Sequence, residues 1–155
     1  MTLVHVRYVD CYLLRSAAVG LEVLALRRGP QGRSPGSWET VHGHIDPGET
    51  PVAAVLREVR EETGLVPPRL YNVSRVEAFY RHGTDEITLI PVFAGVVEGA
   101  AEPRCSSEHD CVAWLTPAAA ADRFSWPRER RALEDVLSIL GSGDAGLLED
   151  VLRVS

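Results

Sequence analysis

Apolar and polar positions partly alternate along residues 3–14, LVHVRYVDCYLL, in a stretch rich in β-branched and aromatic side chains. Residues 21–27, LEVLALR, have the same character, and SAAVG between them reads as a turn, so the spacing predicts a β-hairpin. The period then changes. Val52, Val55, Leu56 and Val59 follow the i, i+3, i+4, i+7 pattern of one buried helix face. Thr50 stands at the N-cap, with Pro51 at the first helical position, where its missing N–H costs nothing. Gly64 is placed to end the helix in a left-handed conformation, Leu65 to fold back onto Val59, and Pro67 and Pro68 to block continuation.

Beyond the helix, 70–81 and 86–97 read as strands joined by HGTD, a glycine-containing hairpin turn. Ile87, Leu89, Pro91 and Phe93 share one face, and Pro91 marks an edge position or a bulge. A loop, EGAAEPRCSSEH, leads to a short strand at 111–115. One helix starts at 117–121, and a longer one covers 127–140 with Leu133, Val136, Leu137 and Leu140 facing inward. Residues 29–37, GPQGRSPGS, are loop by composition, and Trp38 leads into a strand at 39–41; the tail, 147–154, is weakly amphipathic. Strands, helix, strands, then helices predict an α/β mixed sheet covered on both faces.

At 155 residues, 45% hydrophobic and 25% charged, the chain can build one compact core and is unlike a disordered polymer. It lacks the long apolar run of a membrane span, and its N-terminus lacks the basic start and apolar core of a signal peptide. No membrane partner and a cytoplasmic location are therefore expected. Cys11, Cys105 and Cys111 fit no zinc spacing and are expected as reduced thiols. A formal charge of −6 argues against a nucleic-acid partner.

The polar side of the helix at 51–63 carries the candidate chemistry. Glu58 and Glu62 stand one turn apart and Glu61 lies on the neighbouring strip. Like charges at this spacing destabilise a helix, and a hard divalent cation with oxygen ligands turns that cost into affinity. Gly43, Glu49, Arg57, Glu58, Glu61, Glu62 and Gly64 fit the spacing G-x5-E-x7-R-E-U-x-E-E-x-G-U, with Val59 and Leu65 at the bulky apolar U positions. Every fixed position is matched, and the chain resembles the Nudix hydrolase family.

The resemblance implies one Nudix hydrolase domain over 1–155, an α/β/α sandwich with a mixed β-sheet. It implies Mg2+, with Mn2+ as substitute, held by Glu58, Glu61, Glu62 and the His42 carbonyl, an orienting pair of Arg57 with Glu49, a substrate contact at Gly43, and structural support from Gly64. It gives Arg27 and Arg28 a phosphate-binding role, against that of a solvated strand end. It also makes Glu108, in the string SEHDCVAWLTP, a further metal ligand or the base for the attacking water. That string is similar to the corresponding region of nucleoside and dihydroneopterin triphosphate pyrophosphatases. His109 is a weaker candidate for base or phosphate contact.

Trp38 and Trp126 read as core residues whose flat faces could instead wall a base or pterin ring. The side chains of His42 and His44 read as loop residues. The implied function is cleavage of the pyrophosphate linkage of a nucleoside or pterin triphosphate, or of another nucleoside diphosphate-X. ADP-ribose or a dinucleoside polyphosphate is the alternative, and a non-catalytic nucleotide sensor is the reading from another class. Substrate identity, the general base, the number of metal ions and the choice between monomer and homodimer stay open.

Overall fold

The computed structural model describes residues 1–155. The strands are β1 (Leu3–Val6), β2 (Tyr8–Ala17), β3 (Gly20–Arg28), β4 (Trp38–Glu39), β5 (Val41–His44), β6 (Arg69–Arg81), β7 (Glu86–Val96) and β8 (His109–Leu115). The helices are α1 (Pro51–Thr63), α2 (Pro117–Arg123), α3 (Pro127–Leu140) and the short α4 (Glu149–Leu152), which follows a 3-10 turn at Gly146–Leu148. The strands form one eight-stranded mixed sheet ordered β1-β7-β2-β3-β4, with β5 on β2, β6 on β7 and β8 on β3.

Two apolar layers sandwich this sheet. Val9, Cys11 and Leu13 of β2 pack with Leu24 and Leu26 of β3 against Ala54, Val55 and Val59 of α1. The alternate residues Tyr12, Leu14, Val23 and Ala25 pack against Ala120 and Phe124 and against Leu133, Val136 and Leu140 of α3. Both sheet faces are covered, which explains why β2 is a nearly continuous apolar run rather than a strict alternation.

Helix α1 has the expected ends. The Thr50 hydroxyl accepts from the Ala53 N–H at 3.2 Å, and Gly64 sits at φ 74°, where a Cβ would also press on Arg104. Val55 and Val59 are fully buried, whereas Val52 and Leu56 are half-buried at the margin of the core.

The predicted hairpin is more divided than its sequence pattern. Residues 3–14 split at Arg7: β1 pairs in parallel with β7, and only β2 pairs with β3 around the tight turn before Gly20. Residues 39–41 also split, because Thr40 leaves the ladder. Its N–H goes to the Glu129 carboxylate and its hydroxyl to the Cys11 carbonyl, so β4 stays on β3 while β5 moves to β2.

Strand β7 is central and not an edge. Pro91 lies opposite Val76, where β6 shifts register, and between Leu89, the last partner of β1, and Val92, the first partner of β2. A missing N–H at that gap breaks no ladder bond. Strand β8 starts at His109, two residues earlier than predicted, so Glu108 stands at its root. No helix is long and apolar enough to cross a membrane.

The N-cap yields a direct stability test. Thr50→Ala should cost about 1 kcal/mol and lower the melting temperature by about 2–4 °C, as read by circular dichroism. An unchanged melting temperature would mean that the first turn of α1 is held by the loop and not by its cap.

Candidate active site

Arg57, on the polar face of α1, fastens the preceding loop to the helix. Its Nε donates to Glu49 Oε1 at 2.7 Å and its Nη2 to Glu49 Oε2 at 2.9 Å, a bidentate fork. Nη2 also donates to the His44 carbonyl at 2.8 Å, and Nη1 to Glu58 at 2.9 Å and Glu61 at 3.1 Å. Glu49 accepts from the Asp46 N–H as well. The Arg57 hydrogen bond holds the Glu49 carboxyl at about 2 against an ordinary 4.5. In return, Glu49 raises the proton affinity of the guanidinium.

Of the three glutamates of α1, Glu58 and Glu61 share the Arg57 Nη1, whereas Glu62 is buried. Glu61 swings to Arg57, its side chain is 58% exposed, and it stays off the lining of the main cleft. Glu58 reaches under β5, where Gly43 makes room: a Cβ on Gly43 would collide with the Glu58 carboxyl carbon. Glu62 is turned inward and buried. Its Oε2 accepts from the His42 N–H at 3.3 Å, while Oε1 is buried with no hydrogen-bond partner.

Burial, reinforced by Glu39, Glu58 and Glu108, pushes the Glu62 carboxyl well above the usual range. Burial also raises Glu58, against the opposite pull of Arg57. The tightest potential ligand group is Glu62 with Glu108 and His109, whose donor atoms lie within 4.8 Å of one another. The His42 N–H points at Glu62, and the N–H and C=O of a strand residue lie on the same edge, so the His42 carbonyl faces these carboxylates too.

An orphaned buried oxygen, a glycine cradle and an all-oxygen set of Glu58, Glu62, Glu108 and the His42 carbonyl fit a hard divalent cation. The His109 Nε2 is taken by Glu39 at 2.9 Å, and Glu39 is in turn bound by Arg28 at 3.0 Å. The His109 Nδ1 lies 3.4 Å from the Ser106 hydroxyl.

In front of the carboxylates lies a cleft of about 310 Å3. Glu58, Glu108 and Gly43 line one part. Arg28, Arg33, Arg81 and Arg128 line the rest, with Tyr8, Phe79 and Trp126 as apolar walls.

Two candidate substrate contacts lie off the cleft, and Trp38 packs against the core, as its core reading expects. Arg27 points to the other side of β3 from Arg28 and pairs on the surface with Asp110 at 2.7 Å. Trp38 lies off the cleft, under Arg123 at 4.7 Å and near Arg27 at 5.9 Å. Strand alternation sends successive side chains to opposite faces, so only one of the adjacent Arg27 and Arg28 can face the cleft. Trp126, read as core, is instead a cleft wall.

Residues that sequence reasoning missed include Arg33, Arg81, Arg128 and Phe79. No local pattern marks Arg33, Arg81 or Phe79, because the chain brings them to the cleft from distant elements. Asp10 and Arg128 did carry a signal: a carboxylate inside an apolar strand and an arginine beside the tryptophan at a helix start.

The family model described as the NUDIX domain matches residues 4–136. A MutT-like protein of Streptomyces ambofaciens is 36% identical over 103 residues, covering 66% of this chain and 60% of that protein. An isopentenyl-diphosphate Delta-isomerase of Mycolicibacterium vanbaalenii is 37% identical over 134 residues, covering 82% of this chain and 72% of that protein. The structure superposes on a C. elegans Ap4A hydrolase complex with a TM-score of 0.72 at 20% identity, covering 87% and 97% of the two chains. The chain spans 36%, 60% and 54% of the lengths of the first three curated relatives it matches.

The Arg57–Glu49 fork predicts an acid signature. A depressed carboxyl pKa contributes stability that is complete above 4.5 and is lost as the pH falls through about 2. The melting temperatures of the wild type and Glu49→Gln should differ at pH 6, and the gap should close between pH 4.5 and pH 2. A gap that stays constant over that range would contradict the fork's role.

Proposed function

We propose that this chain, which belongs to the NUDIX domain family, is a metal-dependent pyrophosphohydrolase acting on a nucleoside or pterin triphosphate or another nucleoside diphosphate-X. One observation carries the reading: Glu62, with one oxygen buried and unpaired, has a carboxylate atom within 4.8 Å of Glu108, and Glu108 and Glu58 line a cleft that also bears arginines and aromatic rings. Mg2+, with Mn2+ as substitute, held by Glu58, Glu62, Glu108 and the His42 carbonyl, would offset phosphate charge and lower the pKa of bound water.

The chain's own residues supply the rest. Arg28, Arg33 and Arg81 offer planar donor forks to phosphate oxygens. Tyr8, Phe79 and Trp126 give flat apolar surface for a heterocycle. A carboxylate of the cluster takes the proton of the attacking water, a new P–O bond forms, and the bridging P–O bond opposite it breaks. Positioning and electrostatics, without a covalent enzyme intermediate, are sufficient for this reaction.

A second reading, isomerisation of a short prenyl diphosphate, is favoured by the match to the isopentenyl-diphosphate Delta-isomerase. The cleft argues against it, because four arginines and three aromatic rings exceed what one diphosphate on a short aliphatic chain requires.

The test is phosphate and pyrophosphate release across nucleoside triphosphates, dihydroneopterin triphosphate, ADP-ribose and dinucleoside polyphosphates, with isopentenyl diphosphate assayed for isomerisation, each with magnesium, with manganese and with chelator. Metal-dependent hydrolysis of at least one anhydride is expected. Glu58→Gln and Glu62→Gln should each lower kcat by more than about 100-fold, beyond the cost of losing a supporting group, with unchanged circular dichroism. Isomerisation without hydrolysis, or full turnover in both variants, would sink the assignment.

A further inference from the structure

Asp10 is fully buried in the apolar strand β2. A buried carboxylate is costly unless it is paired and hydrogen-bonded. Its partners come from two separate elements. His42 of β5, its register partner, places Nδ1 2.7 Å from Asp10 Oδ1. Arg128, in the first turn of α3, places Nη2 3.4 Å from Oδ1 and 3.3 Å from Oδ2. Burial pushes the Asp10 carboxyl up, but His42 and Arg128 outweigh it and hold Asp10 below the usual range, hence ionised.

Both partners line the cleft, whereas Asp10 does not. The His42 ring stacks on Tyr8 at 5.1 Å and 16°, and Tyr8 packs on His44 at 4.6 Å. Arg128 lies over Trp126 at 5.4 Å. One buried carboxylate thus ties the His42–Tyr8–His44 ladder to the Arg128–Trp126 pair, the two aromatic walls of the cleft.

We propose that Asp10 is a positioning residue for the organic part of the substrate: through His42 and Arg128 it sets the placement of the two walls, while touching neither the substrate nor the metal-binding carboxylates. This inference rests on the hydrolase reading. A residue with this role acts on the ring and not on the phosphates, so its loss separates substrates by whether they carry a ring.

Asp10→Asn keeps the shape and removes the charge. For the nucleotide or pterin hydrolysed fastest in the panel above, KM should rise about tenfold, the scale of a lost charge-assisted hydrogen bond. The same variant should keep kcat and should keep the inhibition constant of magnesium tripolyphosphate, which has no ring. Equal weakening of both compounds, or a fall in kcat at unchanged KM, would overturn the proposal. Should Asp10→Asn fail to fold, Asp10→Ser carries the test with the same expected split, and an unchanged KM would overturn it. A wild type inert on the whole panel removes the hydrolase reading and this inference together, an outcome distinct from an active wild type with an unaffected Asp10→Asn.

Discussion

The site depends on one guanidinium. Arg57 spans the loop before α1, the end of β5 and two carboxylates of its own helix, and does so from a single turn. Its fork fixes Glu49, and through Glu49 the turn at Asp46. That fixes how closely β5 runs past the helix, and the approach is tight enough that only glycine fits at 43 above Glu58. A flexible ammonium at position 57 would lack the rigid planar donors that bind a carboxylate and a carbonyl at once. Glu58 and Glu61 are both drawn into the same clamp; of the three glutamates, Glu58 lines the cleft and Glu62 is buried.

The acidic end of the cleft is costly for the fold. Glu62 is buried with one oxygen unpaired, and Glu39 and Glu58 stand near it in a protein of net charge −6. The basic residues compensate unevenly. Arg28 serves Glu39 and Arg128 serves Asp10, so part of the positive charge lining the cleft also holds its walls, while Arg33 and Arg81 face it without those ties. Glu62 has no such basic partner; its Oε1 is buried without a hydrogen bond, as is Glu129 Oε1, but Glu62 alone of the two groups with Glu108 and His109.

The helix and its caps were legible because each rests on local rules: a 3.6-residue period, an N-cap hydroxyl, and a glycine at positive φ. The spacing from Gly43 to Leu65 was legible for the same reason. What escaped depended on contacts distant in sequence. Thr40 breaks a strand because Glu129 on α3 takes its N–H, whereas Pro91 takes the bulge reading, at the register shift of β6. Helical angles brought Glu61 together with Glu58 and Glu62, but the side chain follows Arg57. Arg27 and Arg28 looked equivalent until strand alternation sent them to opposite faces. The cleft walls at Phe79, Arg81 and Trp126 come from a hairpin and a helix start whose meeting no local pattern records.

The central claim is that the inward-turned Glu62 exists to grip a divalent cation. Titration of the purified protein with Mn2+, followed by electron paramagnetic resonance of the free ion, measures this without any substrate. The account predicts saturable binding by the wild type that weakens by at least about tenfold in Glu62→Gln, with an unchanged fold. Equal Mn2+ binding by the two proteins would contradict it.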